Sequence, residues 1–390
     1  MIAHTFLWAA ALVALEGAKP PFDGVLRPNG EGRLDAYLPP PFPSSHASMV
    51  EQTSGGRLHM AWFSGTGEGN DGVSIVHASL DTSAAEEGAR WSSAQVISRR
   101  KGFSNQNAVL FFNGSTLHAF HSQQPANKGE SKATVWYLSA PVAADGSADN
   151  FSKPVEVFPT PGTFDKNRVL ALLDGSWLLP LYFTGGKPNY EFNKRLPPHA
   201  DPADPKAWRS AATCSGVDNL VQASIVRLKP TEPALVAFFR DRLKRNIYWC
   251  QSDDDGAHWG AATPTDLPNN NAGIHAWVLR SGRIALVYNP QHSSRDPIAI
   301  SISEDGGRSW KYTRTLEYTD GRQEYSYPTV REDVSIDGRL HVSYTWRRET
   351  IKHSIISEEW VMDGTPTRSI SSLTQDSSCV HGEAKARTNS

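Results

Sequence analysis

The chain has 390 residues with 41 acidic and 39 basic side chains, a net charge of −2, so it lacks the basic excess that nucleic-acid binding demands. A hydrophobic fraction of 39% beside 21% charged residues excludes a wholly disordered chain. Its 12 tryptophans and 11 tyrosines suit β-sheet faces and carbohydrate platforms alike.

The first element in chain order is an apolar run of 11 residues, Thr5 to Leu15, followed by the small residues Gly17 and Ala18. A run of this length is too short to span a bilayer as a helix and has the form of a signal-peptide core, although no Lys or Arg precedes it. Residues 1–18 are therefore expected to be a signal peptide. The other readings are an N-terminal strand or an uncleaved anchor. A secreted protein, or one of the secretory pathway, with no stable membrane span is the expectation, and the sequons at Asn113 and Asn150 agree with it.

From here a strand pattern recurs six times, usually behind a glycine turn: GRLHMAWFSG, GSTLHAFHSQ, GSWLLPLYFTG, PALVAFFRDR, GRIALVYNPQ and GRLHVSYTWRR. Aligned on Leu58, Leu117, Leu178, Leu235, Ile284 and Leu340, the copies are 59, 61, 57, 49 and 56 residues apart, the size of one four-stranded blade. A sheet of this kind cannot bury both faces alone, whereas six around an axis can. The pattern predicts an all-β, six-bladed β-propeller over residues 37–362, expected to be a monomer.

Each copy is preceded by a candidate innermost strand that carries polar residues. In chain order these are His46, Asn105 to Asn107, Asn167 with Arg168, Gln222, His275, and Tyr325 with Tyr327. Innermost strands line the axis, so this ring predicts a concave polar site built from several blades, with His46, Asn107, Arg168 and His275 among its binding residues. Arg240 and Arg242 follow the fourth copy, Arg295 precedes the fifth blade's next strand, and Arg347 and Arg348 end the sixth. Guanidinium groups arriving from separate blades suit a carboxylate-bearing ligand, because the planar fork fixes its orientation as well as its charge. Arg348 reads more simply as a solvated strand end.

Two further segments, SDDDGAHW from Ser252 and SEDGGRSW from Ser303, share the spacing Ser-x-Asp-x-Gly-x-x-Trp, with tryptophans 51 residues apart. Asp and Gly suit a tight turn and Trp a slot between sheets, so these boxes are expected to be structural. The acidic run Asp253 to Asp255 is read as part of such a turn and not as a calcium site. No metal site or cofactor is expected. Cys214, Cys250 and Cys379 allow at most one bridge. Residues 363–390 are Ser/Thr-rich without apolar periodicity and are expected to be disordered.

With these boxes, EYSYP at Glu324 and the run RDPIAISISEDGGRSW from Arg295, the chain resembles the sialidase superfamily, in particular sialidase-like proteins with Asp-box (BNR) repeats. The resemblance implies an acidic glycan or glycoconjugate substrate, a carboxylate clamp of arginines, a Tyr nucleophile assisted by a Glu, and an Asp acid/base. By position it assigns Arg240, with Arg242 as the alternative, and Arg295 to the clamp, and Tyr325 to the nucleophile. Glu68, or else Asp71, stands for the acid/base. The chain departs from the pattern twice. Ser45-His46 stands where the first arginine belongs, so His46 replaces a carboxylate contact, and Gln222 stands where the Glu partner belongs. Three functions follow: a sialidase-type exo-glycosidase, a uronide lyase or uronide-linked glycosidase on the same scaffold, and a non-catalytic carbohydrate-binding propeller.

Overall fold

A computed structural model describes residues 19–81 and 86–364. The expected signal peptide, Cys379 and almost all of the expected disordered tail lie outside these residues. The described chain is built from six antiparallel sheets taken in sequence order. Blade one runs from Ser44–Gln52 through Leu58–Gly65 and Ser74–Leu80 to Gln95–Ser98. The innermost strands of blades two, four, five and six are Phe103–Phe112, Leu220–Arg227, His275–Val278 and Tyr325–Glu332. In blade three that position is divided between Thr163–Asp165 and Leu170–Ala171, both paired to Trp177–Phe183.

Ring closure is made by the N-terminal segment. Leu34–Tyr37 pairs with Thr350–Ser357, so blade six takes three strands from the C-terminal end of the ring and its outer strands from ahead of blade one. These outer strands start before residue 37, because hydrogen bonding the ring shut needs them there.

The recurring strand copies form the second strand of every blade, and Leu58–Gly65 is buried along its whole length. One apolar cluster lies between each pair of neighbouring blades: blades one and two around Phe63 and Leu110, two and three around Phe120 and Leu179, three and four around Leu178 and Phe239, four and five around Phe238 and Leu286, five and six around Val287 and Tyr344, six and one around Trp62 and Ile351. Each fully buried Leu, Ile or Phe contributes about 1.5–3 kcal/mol, so the blades hold one another and no blade has a core of its own.

The two Asp boxes close the turns between third and fourth strands. Ser303 Oγ accepts the Gly307 amide at 2.8 Å, and Asp305 accepts the amides of Arg308 and Ser309. Ser252 and Asp254 repeat this pattern in blade four. Trp310 packs edge-on against Phe238 of blade four, with ring centres 5.6 Å apart. Cys214 and Cys250 form a disulfide that ties the segment entering blade four to its third strand.

Candidate active site

Antiparallel strands point alternate side chains to opposite faces, but the innermost strands break this rule at equivalent places. Register shifts separate His46 from Met49, Gln106 from Val109, Val221 from Ser224 and Ser326 from Thr329. Within them Ala47, Asn107, Gln222 and Tyr327 have φ of 57°, 53°, 59° and 53°. A bulge with a left-handed residue re-aims the strand at that point, and for a Gln or a Tyr the conformation is uncommon enough to indicate a functional demand.

Those bulges bring Gln222 and Tyr327 together. Arg240, 4% exposed, donates from Nη1 to Tyr327 Oη at 2.6 Å and to Gln222 Oε1 at 3.0 Å, and from Nε to Asn271 Oδ1 at 2.8 Å. Gln222 Nε2 then donates to Tyr182 Oη at 3.1 Å. Gly273 makes room: a Cβ there would stand 3.4 Å from both Gln222 Oε1 and the Tyr327 ring. The His46 ring centre lies 4.3 Å from that of Tyr327, and the Arg295 guanidinium 5.3 Å above the phenol ring.

A third guanidinium joins them through one carboxylate. Glu324 Oε1 accepts from Arg295 Nη1 at 2.6 Å and from Arg348 Nε at 2.8 Å, while Arg348 Nη1 donates to Glu68 Oε2 at 2.7 Å. Burial works to raise the Glu324 carboxyl, but Arg295 and Arg348 outweigh it and hold it below the usual range. His46 is pushed well below the ordinary histidine range by burial first and then by Arg348, Arg295, Lys166 and Arg240. Three guanidiniums, Arg240, Arg295 and Arg348, thus reach one neutral imidazole, and the hub carries a positive potential suited to an anion.

Of the residues singled out in the sequence, the structure gathers Arg240, Arg295, Gln222 and His46 around one phenol, and links Glu68 to them through Arg348. Asn107 supports this set from blade two, donating to the Asp165 carbonyl at 2.9 Å and to Tyr182 Oη at 3.4 Å. Arg242 stands at the side, paired with Glu130 at 2.6 Å. Asp71 accepts the Gly102 amide in a turn. His275 uses Nδ1 to accept the Val330 amide, and its Nε2 is buried without a partner. Arg168 lies over Trp277 at 4.2 Å and 3.7 Å from Glu51, which also pairs with Arg331. His275 also feels the charges of Lys166 and Arg168, after burial, so these residues lie near one another.

Tyr325 is in a different place from the one its position in EYSYP suggests. Its side chain is 1% exposed within the apolar cluster between blades five and six, and its hydroxyl meets Thr319 Oγ1 at 2.7 Å. The tyrosine at the hub is Tyr327. Strict alternation gives both tyrosines the same face, but the bulge intervenes between Ser326 and Thr329. The sequence reading took Arg348 for a solvated strand end, which its bonds to Glu324 and Glu68 correct, and it passed over Glu324 as an arginine anchor and Lys166, whose buried Nζ has no partner and stands 5.7 Å from the Tyr327 ring centre. Among the described residues no group of three or more His, Cys, Asp or Glu side chains could hold a metal ion, and no helix is long and apolar enough to cross a membrane.

A family model described as a BNR repeat-like domain matches residues 56–342, most of the chain. The chain belongs to this family. No curated protein matches it. Among solved structures, the BNR repeat-like chain is similar to Hadza microbial sialidase Hz136 at 12% identity with a TM-score of 0.66, covering 82% of this chain and 66% of that one. It is similar to a protein of unknown function from Dyadobacter fermentans at 15% identity and TM-score 0.65, covering 83% and 97%. It is similar also to Trypanosoma rangeli sialidase in complex with the inhibitor DANA at 11% identity and TM-score 0.63, covering 83% and 56%. The BNR repeat-like chain thus spans about two thirds of the first of these structures and just over half of the last. At such identities the likeness establishes the sialidase-like propeller fold.

Proposed function

We propose that this protein is a secreted exo-glycosidase of sialidase type that removes a terminal sugar bearing a carboxylate. The observation that carries the reading is the convergence of Arg240 and Arg295 on the Tyr327 phenol, with Arg348 from a third part of the ring joined to Arg295 through Glu324. Arg348 of blade six supplies the guanidinium that blade one lacks, and Glu324 fixes it against Arg295. A sugar whose anomeric carbon carries a carboxylate repels an anionic nucleophile, whereas a phenol starts neutral and becomes charged only as it attacks. Tyr327 is the nucleophile in this reading, and Glu68, at the rim with one oxygen held by Arg348, is the acid/base. Asn113 and Asn150, the sequon asparagines, are exposed, in keeping with a secretory route.

The test is release of fluorophore from 4-methylumbelliferyl glycosides of sialic and other nonulosonic acids and of uronic acids. Turnover should be lost in Tyr327→Phe and kept in Tyr325→Phe. A wild-type protein inert on the whole panel would sink the hydrolase. The second reading, a uronide lyase, draws on His46 lying tilted beside the Tyr327 ring near the same arginines, since elimination needs a neutralised carboxylate and a base. It predicts an unsaturated, ultraviolet-absorbing product from a uronan.

A further inference from the structure

Lys166 enters the hub from blade three and is 1% exposed, with no hydrogen-bond partner for its Nζ. A buried ammonium with no partner is costly, so the arrangement favours the neutral amine. The charged and titratable groups that reach it come from every side. Asp165 is its neighbour in sequence and Arg240 faces it from blade four, while its own charge is felt by His46 of blade one and His275 of blade five. Tyr327 faces it from blade six, and blade two contributes the uncharged Asn107, bonded to the Asp165 carbonyl. Burial pushes the amine down to about 7, with Asp165 opposing and Arg240 adding to the fall. Asp165 gives little countercharge, because burial lifts its carboxyl to about 8 in spite of its bond from Ser122.

The phenol beside this amine has a proton to dispose of. Tyr327 Oη already receives Arg240 Nη1 at 2.6 Å, so the hydroxyl's own proton has to be given elsewhere. Gln222 has no basic atom, gives its amide N–H to Tyr182 and takes the same Arg240 nitrogen on its oxygen. Glu324 is bound by two guanidiniums and the Ser326 hydroxyl. His46 holds Thr345 Oγ1 on its Nδ1 at 2.8 Å. Lys166 is the group with an unengaged lone pair and a flexible four-carbon stem.

We propose that Lys166 takes the proton of Tyr327, an inference that rests on Tyr327 being the nucleophile. As Oη bonds to the anomeric carbon, its proton passes to Nζ, giving an ammonium. The glycosidic C–O bond breaks with its electron pair on the leaving oxygen, which is protonated by Glu68. In the second half a water oxygen bonds to the anomeric carbon, Glu68 removes the water's proton, and the departing phenolate recovers its own from Lys166. Protons and charges balance over the two halves, and no other reactant is needed.

The experiment separates this step from the activity itself. In ligand-free protein, ultraviolet difference titration of wild type against Tyr327→Phe isolates the ionisation of that one phenol. Because the wild-type amine is neutral where a phenol ionises, Lys166→Met should leave that titration in place, whereas Lys166→Arg, which adds a permanent cation beside the ring, should move it to lower pH by at least about one unit. Both variants should lower kcat/KM by at least about 100-fold on any glycoside that the wild type cleaves, because neither can accept a proton. An unchanged phenol titration in folded Lys166→Arg overturns the proposal, because the side chain then does not reach the phenol. If Lys166→Met does not fold, Lys166→Arg decides: loss of turnover with the phenol titration lowered supports it, and retained turnover overturns it. A shifted titration in a protein inert on every glycoside supports the proton pair and sinks the hydrolase reading instead.

Discussion

At the phenol oxygen of Tyr327 one short bond from Arg240 couples the nucleophile candidate to the clamp candidate, so the two tyrosines of EYSYP should respond oppositely to loss of a hydroxyl. Tyr325→Phe removes a bond to Thr319 inside an apolar cluster and should cost about 1 kcal/mol in urea unfolding, leaving anion binding unchanged. Tyr327→Phe should change stability little, since Arg240 keeps Gln222 and Asn271, but should abolish turnover. Gln222 offers a second discrimination. Its oxygen shares an Arg240 nitrogen with the phenol, so Gln222→Glu places a carboxylate at the same atom. In a Lys166→Met background this change should restore turnover at least about tenfold by providing another proton acceptor. Absence of rescue in a folded double variant would argue that the amine does something other than hold a proton. The residue types of this site were legible in the sequence, which offered Arg240, Arg295, Gln222 and His46. Lys166 was not, because a lysine in DKNR reads as a solvated charge until the ring closes over it.

The element that decides these assignments is the bulge. Period-two alternation predicts the face of a side chain only while the register holds, and four innermost strands slip at the hub. That is why the six blades could be counted from leucines in second strands, whose register is regular, while Tyr325 was preferred to Tyr327 in a strand whose register is not. The Asp-box turn gives the contrasting case, an element whose sequence states its geometry. Gly307 has φ of 88°, and a Cβ there would stand 2.4 Å from Phe238 in the neighbouring blade. Gly307→Ala should therefore destabilise the protein by more than about 2 kcal/mol, through backbone strain and displacement of a buried ring together. Thermal unfolding checks it. Material that does fold should bind and turn over ligand normally, because the box does not contact the hub. A change in kcat/KM without a change in melting temperature would contradict the structural role.

At the scale of the whole ring, buried histidines join blades through hydrogen bonds that need neutral rings. The Gly146 carbonyl can only accept, so His59 carries its proton on Nε2, its Nδ1 accepts, and the donor across the 3.0 Å contact is His77 Nε2. This links blade one to the outer loop of blade two. A second relay links blade one to blade six: Trp91 Nε1 donates to His353 Nδ1, His353 Nε2 donates to His341 Nδ1, and His341 Nε2 donates to Asp333. Protonating His59 would set two donors against each other. Burial holds His59, His118 and His121 down at about 4 and His77 at about 3, against an ordinary value of 6.5, while His341 and His353 are lowered as well. Because these values are lower in the folded than in the unfolded chain, the unfolded chain binds more protons between the two limits. Stability is therefore fully present above about pH 6.5 and is lost as pH falls toward 4, each such histidine contributing up to about 1.4 kcal/mol per pH unit in that window. Asp165, raised to about 8 from 3.8, works in the opposite sense, since its contribution is fully present below 3.8 and is lost as pH rises through 8. Glu191, also raised well above its ordinary value by burial, acts in the same sense as Asp165. With several histidines against these two carboxyls, urea midpoints measured from pH 7 to pH 4 should fall steadily, beginning above the carboxylate range. A His59→Gln, His77→Gln double variant, with two fewer groups to titrate, should show a shallower fall. A flat profile down to pH 4.5 would mean that the rings are charged in the folded state, which the single proton available to each hydrogen bond in these relays does not allow.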